Sequence, residues 1–538
     1  MTLDHAGFLH PNHAPPTDRP LATDARSRRL ALGIICLCAA TITVDITITN
    51  VALPFIAKDL KANTTSLQWI VDVYNIVLAG LLLIGGGLAD RFGRKRVFLG
   101  GFAVFGVGCA AAAFSSSTGA LVAARALMGV GAAGVIAPAL AILAVLFPPE
   151  ERGPAVAAWT MFGAAGLAVG PIAGGLLLDH FWWGSVFLVN VPLVVVAIAV
   201  GIRLIPESRR PGAARLDVVG AVLSVAALGA LLAGVIEGPV RGWGDPLTLA
   251  LLVVGIVLTA GFAEWELRSA APMFDLRILR RPAVATGALA LFVSYICFTG
   301  MLFLIPQHLQ DVRGIGVVAT GLLLAPFAVL FGVLSQRAGG VLARQGSRRT
   351  LGTGLVVMGA GMAGLALLPE TGAAVVVVAG TLVLAGGFAL LIAPGTTVVI
   401  NDLPVEKAGD GSSLNMLSRF AGAALGVAFL GSVLASVYAA RLKGATAALS
   451  ADKAQRSRQS ISGALGVASG LSHVDAHALT VAARRAFDDA AQAAFLAGAL
   501  VAVVAAAVAV RALRASVTPS PSEPGRTPSP SQVAPRSG

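Results

Sequence analysis

The sequence predicts an all-α integral membrane protein, and three observations carry that reading. The 538 residues are 56% hydrophobic with a mean hydropathy of +0.84, more apolar surface than one soluble core can bury. The apolar residues fall in runs of roughly 20, the length at which a helix crosses bilayer hydrocarbon. Only 12% of residues are Asp, Glu, Lys or Arg, and nearly all of them lie between the runs. Backbone amides cannot be left unpaired in lipid, and the runs are too long for barrel strands, so the spans are helices.

Fourteen spans are expected, near 31–55, 68–89, 97–115, 120–146, 155–178, 184–204, 217–236, 247–267, 283–306, 317–336, 350–368, 373–394, 419–440 and 490–512. Basic residues set the orientation, because cytoplasmic loops accumulate Lys and Arg. With the N-terminus inside, 27 of the 39 fall in cytoplasmic segments, Lys407 and Arg419 among them. The short outer loops hold only Lys58, Lys61, Arg241 and Arg313, and seven more lie in the long segment 441–489. Both termini are then cytoplasmic, which requires an even number of spans.

The net charge of +12 is therefore a topology signal, not a nucleic-acid footprint. The four cysteines (Cys36, Cys38, Cys109, Cys297) sit inside apolar runs without metal-type spacing and read as small hydrophobes. No cleavable signal peptide is expected, since the first apolar run is too long and lacks a small-residue cleavage site. A phosphate-binding lysine loop, a nucleophilic triad and a metal cluster are not discernible, so neither a cofactor nor an enzyme is expected.

The expected organisation is a disordered cytoplasmic tail at 1–29, a six-helix half at 30–206 and two inserted helices at 207–270. A second six-helix half follows at 271–514, and a Ser/Pro/Arg tail at 515–538. Within the second half, 441–489 is Ala-rich and too polar to span, which suits a solvated extracellular helical hairpin or a lid over the outer vestibule. An internal repeat supports the two halves. Gly86–Arg96 reads GGLADRFGRKR after span 2, and Gly339–Arg349 reads GGVLARQGSRR after span 10. Such repeats underlie transporter halves related by an axis along the membrane normal.

Three charges break the pattern. Asp45, Asp72 and Arg125 fall inside spans, where an ionisable group costs roughly 2.5–3.5 kcal/mol on insertion scales and marks function by default. A desolvated carboxylate holds its proton until a cation or water arrives, so protonation and cation binding compete at such a group. Arginine is always charged and cannot carry the proton; it can tune a neighbouring acid or form a structural ion pair.

Several motifs together resemble the 14-span drug:proton antiporter branch of the major facilitator superfamily. Gly86-Gly87-Leu88-Ala89-Asp90-Arg91-Phe92-Gly93-Arg94-Lys95 is similar to that superfamily's signature loop. Arg125-Ala126-Leu127-Met128-Gly129-Val130-Gly131 resembles the arginine-centred motif of proton-coupled members. The stretch from Gly166 to Gly175, with Gly170-Pro171 and Gly174, resembles the motif associated with antiporters. Val44 to Pro54, Trp69 to Tyr74 and Phe187 to Pro192 are similar to the drug:proton branch and its quaternary-ammonium exporters. The likeness covers roughly residues 30–440.

The resemblance implies a transporter in the bacterial plasma membrane that exports small lipophilic or cationic molecules, driven by a proton gradient. Its partners would be the lipid bilayer, its substrates and protons, with no nucleic acid and no obligate protein partner. Asp45 and Asp72 would exchange protons and Arg125 would tune them. Gly86 would permit close helix approach, Asp90 would meet a helix N-terminus, and Arg91 and Arg94 would pair with carboxylates as a gate latch around Gly93. The small residues Gly166, Gly170 and Gly174, with Pro171, would make a closely packed, pliable helix.

Departures from the branch also matter. The carboxylates that quaternary-ammonium exporters carry in spans 10 and 13 align here with Phe331 and the region of Asn415. Second-tier candidates are Asn50, Tyr74, Glu237 and His308, although a solvated boundary residue is the commoner fate for Glu237 and an interfacial polar turn for His308. Trp159, Phe292, Tyr295, Phe298 and Phe303 are candidates for an adaptable pocket or for ordinary packing. Two alternatives stay open: a dedicated exporter of one endogenous metabolite, and a non-transporting membrane receptor or scaffold.

Overall fold

A computed structural model describes residues 25–209, 217–269, 275–367, 373–404 and 407–515. Of the tails expected at 1–29 and 515–538, residues 1–24 and 516–538 lie outside the described residues, whereas 25–29 are helical and open the first long helix and 515 ends the last one. Among the described residues every regular element is helical.

The first half comprises α1 (Ala25–Asp59), α2 (Thr64–Phe92), α3 (Arg94–Ala113), α4 (Thr118–Leu146), α5 (Pro149–His180), the single turn α6 (Ser185–Leu188) and α7 (Asn190–Leu204). Two helices after short turns start on side-chain caps. Asn63 accepts the Ser66 amide at 2.8 Å and Ser117 accepts that of Ala120 at 3.2 Å. The inserted pair is α8 (Val218–Arg241) and α9 (Pro246–Arg268), begun by the carboxylate caps Asp217 and Asp245. The second half holds α10 (Pro282–Gln307), ending in a π-helical turn at His308–Val312, then α11 (Val317–Leu365), α12 (Ala373–Asn401) and α13 (Ala408–Leu442). It closes with α14 (Ala451–Gln459), α15 (Ile461–Ala468) and α16 (His473–Ala515).

Thirteen helices are long and apolar enough to cross a membrane, against fourteen expected spans. The difference lies in α11, whose 49 residues contain 317–336 and the expected next span from its start at 350 as far as Leu365. Gly346 inside it has φ 75° and ψ 166°, a non-helical conformation that only glycine adopts easily, so the two stretches meet at a kink. The segment 441–489 is not a separate hairpin. Residues 441–442 finish α13, α14 and α15 form a short cap, and 473–489 are the opening turns of the 43-residue α16.

Each half repeats the same packing. In the first, α5 lies on α1 through Gly166, Gly170 and Gly174; a Cβ on Gly166 would sit 2.9 Å from the Ala40 carbonyl. In the second, α13 lies on α10 through Gly422 and Gly426, again four residues apart, against the Phe292 and Ile296 carbonyls. The halves then join reciprocally, α5 to the start of α11 and α13 to α2, as a two-fold axis along the bundle requires. The inserted α8 packs on α2 and α13, whereas α9 rests mainly on α8 and leaves most of its surface outward.

The bundle is closed at one end. Gln68 on α2 donates to the Val427 and Ala428 carbonyls at 3.2 and 3.0 Å, and Gln310 donates to the Val51 carbonyl at 3.2 Å. A Cβ on Gly175 of α5 would sit 2.9 Å from the Val318 Cα, and Thr64 donates to the Gln459 carbonyl of the cap at 3.0 Å. All these bridges lie far from the end where α1 begins and α16 finishes. At that terminal end the ion pairs among the described residues stay within halves: Arg94 with Asp90, Arg96 with Glu207, Arg281 with Asp402 and Lys407 with Asp275. The halves part there, and Met161 and Phe162 on α5 are exposed.

Candidate functional site

Two acids and one arginine are brought together in the first half, and they differ in what surrounds them. Asp45 of α1 and Arg125 of α4 are fully buried, and Arg125 Nη1 donates to Asp45 Oδ2 at 2.5 Å. The Arg125 Nε donates to the Ile70 carbonyl of α2 at 3.0 Å. Its guanidinium lies over the Tyr74 ring at 4.5 Å and near the Phe187 ring at 5.9 Å. The arginine thus ties α1, α2 and α4 together with an ion pair, a carbonyl contact and cation–π contacts. Tyr74 acts here as a ring, and its hydroxyl has no hydrogen-bond partner.

Asp72 has no such support. It is fully buried on α2, and among the described residues neither carboxylate oxygen has a hydrogen-bond partner. Helical spacing places it on the same face as Gln68, one turn before it, and close to Asn75, one turn after. Gln68 reaches α13, so this polar face of α2 is turned toward the junction of the halves. Asn75 Nδ2 bonds back to the Val71 carbonyl at 3.2 Å, and its Oδ1 has no partner. Gln68 and Asn75 are missed as candidates in the sequence; their signal is a polar residue every third or fourth position in an apolar run.

The second-tier candidates scatter. Asn50 is buried on α1 and donates to the Ile46 carbonyl of its own helix at 2.8 Å. Glu237 belongs to the inserted α8, where it pairs with Arg241 at 3.1 Å and accepts from Trp69 at 3.4 Å. His308 is buried in the π-helical turn and contacts Asp488 of α16 at 2.8 Å. Neither Glu237 nor His308 joins the Asp45–Arg125 cluster.

The loop motif is assembled within the first half. Arg94 holds Asp90 at 2.8 Å and reaches the Ala141 carbonyl of α4 at 3.5 Å. Gly93 has φ +112°, and a Cβ there would sit 2.6 Å from a Glu207 carboxylate oxygen. That same carboxylate accepts the Lys95 amide at 3.2 Å, and the Arg94 amide donates to the Ser208 carbonyl at 2.8 Å. The latch therefore grips the segment leaving α7. Arg91 is exposed and lies over the Phe92 ring at 5.5 Å. Close approach falls on Gly85, against the Ala133 carbonyl at 2.8 Å, whereas a Cβ on Gly86 would meet open space.

The second half offers aromatics in place of acids. Phe298 stacks on Phe388 at 4.9 Å and on Phe327 at 5.1 Å, and Phe331 lies 5.0 Å from Phe388. Tyr295 adjoins Phe388 at 5.4 Å, and its ring is approached by the Arg419 guanidinium at 6.0 Å. Counting Arg419 with a cytoplasmic loop is corrected here. The residue lies well inside α13, which begins at Ala408.

A two-fold bundle of membrane-length helices, with buried charges beside the junction of its halves, defines a membrane transporter and not an enzyme. The chain belongs to the Major Facilitator Superfamily, which its residues 35–427 match. It is 35% identical over 483 residues to the multidrug efflux pump LfrA of Mycolicibacterium smegmatis, covering 89% of this chain and 95% of that one. It is 35% identical over 419 residues to the multidrug resistance protein Stp of Mycobacterium tuberculosis, covering 78% of each. It is 34% identical over 396 residues to the tetracenomycin C resistance and export protein of Streptomyces glaucescens, covering 73% and 74%. Among solved structures, the bundle superposes on a bacterial homolog of the human lysosomal transporter Spinster, inward-facing and unoccupied. The TM-score is 0.62 at 15% identity, over 91% of this chain and 99% of that one.

Proposed function

We propose that this protein exports small lipophilic or cationic compounds across the bacterial cell membrane in exchange for protons, by alternating access of one site between its halves. The observation that carries the reading is the inequality of the two acids. Asp45 is neutralised by Arg125, whereas the buried carboxylate of Asp72 has no partner among the described residues. An unpaired buried carboxylate is stable when protonated or when a cation meets it, so Asp72 suits an exchange of one for the other. Asp45 and Arg125 would then be a fixed pair holding α1, α2 and α4 in register.

In the proposed orientation fourteen spans place both termini in the cytoplasm, and the described state is open to the inside. Substrate enters from the cytoplasm or inner leaflet, and protons arrive after the outer end opens. The efflux and resistance names of the relatives favour a broad substrate range. The tetracenomycin C exporter among them keeps a second reading, a dedicated exporter of one metabolite, in view.

The test uses proteoliposomes with an imposed proton gradient and a lumenal pH dye, to which lipophilic cations are added. Wild type should dissipate the gradient on substrate addition. Asp72→Asn should abolish that response, and its substrate binding should lose the weakening at acidic pH seen in wild type. A response retained in Asp72→Asn would refute the assignment. Response to a single chemical scaffold alone would favour the metabolite exporter.

A further inference from the structure

We infer that the corner between α11 and α16 at the terminal end is a binding site for an anionic phospholipid headgroup, built on Arg349 and Arg511 with Arg348 beside them. The site goes beyond export, since it concerns the lipid that the protein holds and not the compound it moves.

The loop that follows span 2 is repeated after span 10, and the two copies share a backbone feature. Gly93 has φ +112° and Gly346 has φ +75°. Six residues beyond each glycine, the helix that follows touches the last helix of its half. A Cβ on Gly201 of α7 would sit 2.8 Å from Leu99 Cδ2 of α3, and one on Gly352 of α11 would sit 2.8 Å from Val510 Cγ2 of α16. The charges are handled in opposite ways. In the first copy Asp90 pairs with Arg94 at 2.8 Å and Glu207 pairs with Arg96 at 3.5 Å. In the second copy Ala343 stands in the place of Asp90, and Arg349 in that of Arg96. Glu207 comes six residues after Gly201, whereas the stretch after Val510, from Arg511 to Ser522, contains arginine and no acid. Among the described residues no carboxylate pairs with Arg348, Arg349 or Arg511. One copy of the loop is thus neutralised internally, and the other is left to an anion from outside.

What lies outside at this corner is lipid. The second stretch of α11 and α16 run antiparallel, with Gly352 against Val510 and Gly359 against Val503. On α11, Thr353, Val356 and Ala360 are exposed on one helical face, and Arg349 continues that face one turn on. On α16, Leu500, Val504 and Val508 are exposed on one face, and Arg511 continues it. Exposed apolar faces of spanning helices meet acyl chains, and arginines at their ends reach the headgroup layer. Both arginines lie within a turn of the Gly352–Val510 contact, on adjoining helices at the same depth. A phosphodiester takes a guanidinium as a fork, and basic residues between spans bind such headgroups. Two arginines at one corner suit cardiolipin, with two phosphates, above phosphatidylglycerol, with one. A soluble phosphate carries the same charge but gains nothing from the apolar faces beside the arginines.

The test uses the full chain, delipidated in detergent, with lipid binding read by native mass spectrometry. Wild type should bind cardiolipin more tightly than phosphatidylglycerol, and both more tightly than phosphatidylcholine. In Arg349→Gln/Arg511→Gln the Kd for cardiolipin should rise about thirtyfold, which is about 2 kcal/mol or about 1 kcal/mol for each basic residue. Phosphatidylcholine binding should not change. Arg209→Gln/Arg280→Gln removes the same charge from exposed positions elsewhere at the terminal end and should leave cardiolipin binding at the wild-type value. Equal weakening in the two double variants would mean diffuse attraction and overturn the site. No preference for anionic lipid in wild type would do the same. Displacement of cardiolipin by millimolar glycerol 3-phosphate would assign the arginines to a soluble anion, and the lipid assignment would fall.

Discussion

At the scale of single residues, the same charge is treated in three ways. Arg125 is matched by a carboxylate, Asp72 by nothing among the described residues, and Arg419 by a neutral acceptor, the Thr396 hydroxyl. Removing one member of a buried ion pair strands the other, at a cost of about 3–5 kcal/mol. Arg125→Gln should therefore lower the thermal midpoint of the purified protein strongly, and adding Asp45→Asn should restore part of the loss. Strict additivity of the two substitutions in a double-mutant cycle would mean the pair is not coupled. The three buried charges read from the sequence are all in the site region because intramembrane charge is a strong signal. Their different roles were not legible, since pairing depends on which helix faces which. Arg419 was hidden for a related reason: its run of small polar residues looks like a loop, yet α13 starts eleven residues earlier.

At the scale of elements, the glycine spacing in α5 was readable as a packing face, but not that it serves two neighbours. Gly166, Gly170 and Gly174 seat α1, while Gly175 and the Pro171 carbonyl meet α11. A Cβ on Gly170 would clash with the Thr47 hydroxyl and sit 3.0 Å from the Val44 carbonyl, whereas one on Gly163 would find its nearest atom at 3.9 Å. Gly170→Val should thus cost about 1–3 kcal/mol and slow transport. Gly163→Ala should stay within about 0.5 kcal/mol of wild type. Equal thermal shifts for the two would remove the argument for a fitted seam. The span pattern located the helices well, because long apolar runs admit one solution in lipid. It did not locate the continuity of α16, where an amphipathic opening runs without a break into an apolar stretch.

At the scale of the whole molecule, the closed end is a seam between halves that must part once per cycle under the proposed mechanism. Gly175 and Val318 face each other across it. The native cysteines are buried, and with all four replaced by Ala, a Gly175→Cys/Val318→Cys pair should form a disulfide under oxidation. Transport should drop at least about tenfold and return with reductant. Undiminished transport by the cross-linked protein would exclude opening at this seam. The two-fold arrangement behind it was only faintly written in the loop repeat, whose second copy has Ala343 where the first has Asp90. It is carried instead by matching Gly pairs on α5 and α13, which mean little until their partners are known.

One consequence follows from the length of α16. Its 43 residues make a rod of about 65 Å, and its first turns carry Asp488, which grips His308 and Arg313 at the closed end. The same rod finishes at the opposite face. In the proposed orientation it is a handle reaching outside the cell, rigidly joined to the half that must rock. A binder clamped to residues 451–489 would brake the pump without entering its substrate path, and no substrate would compete it away.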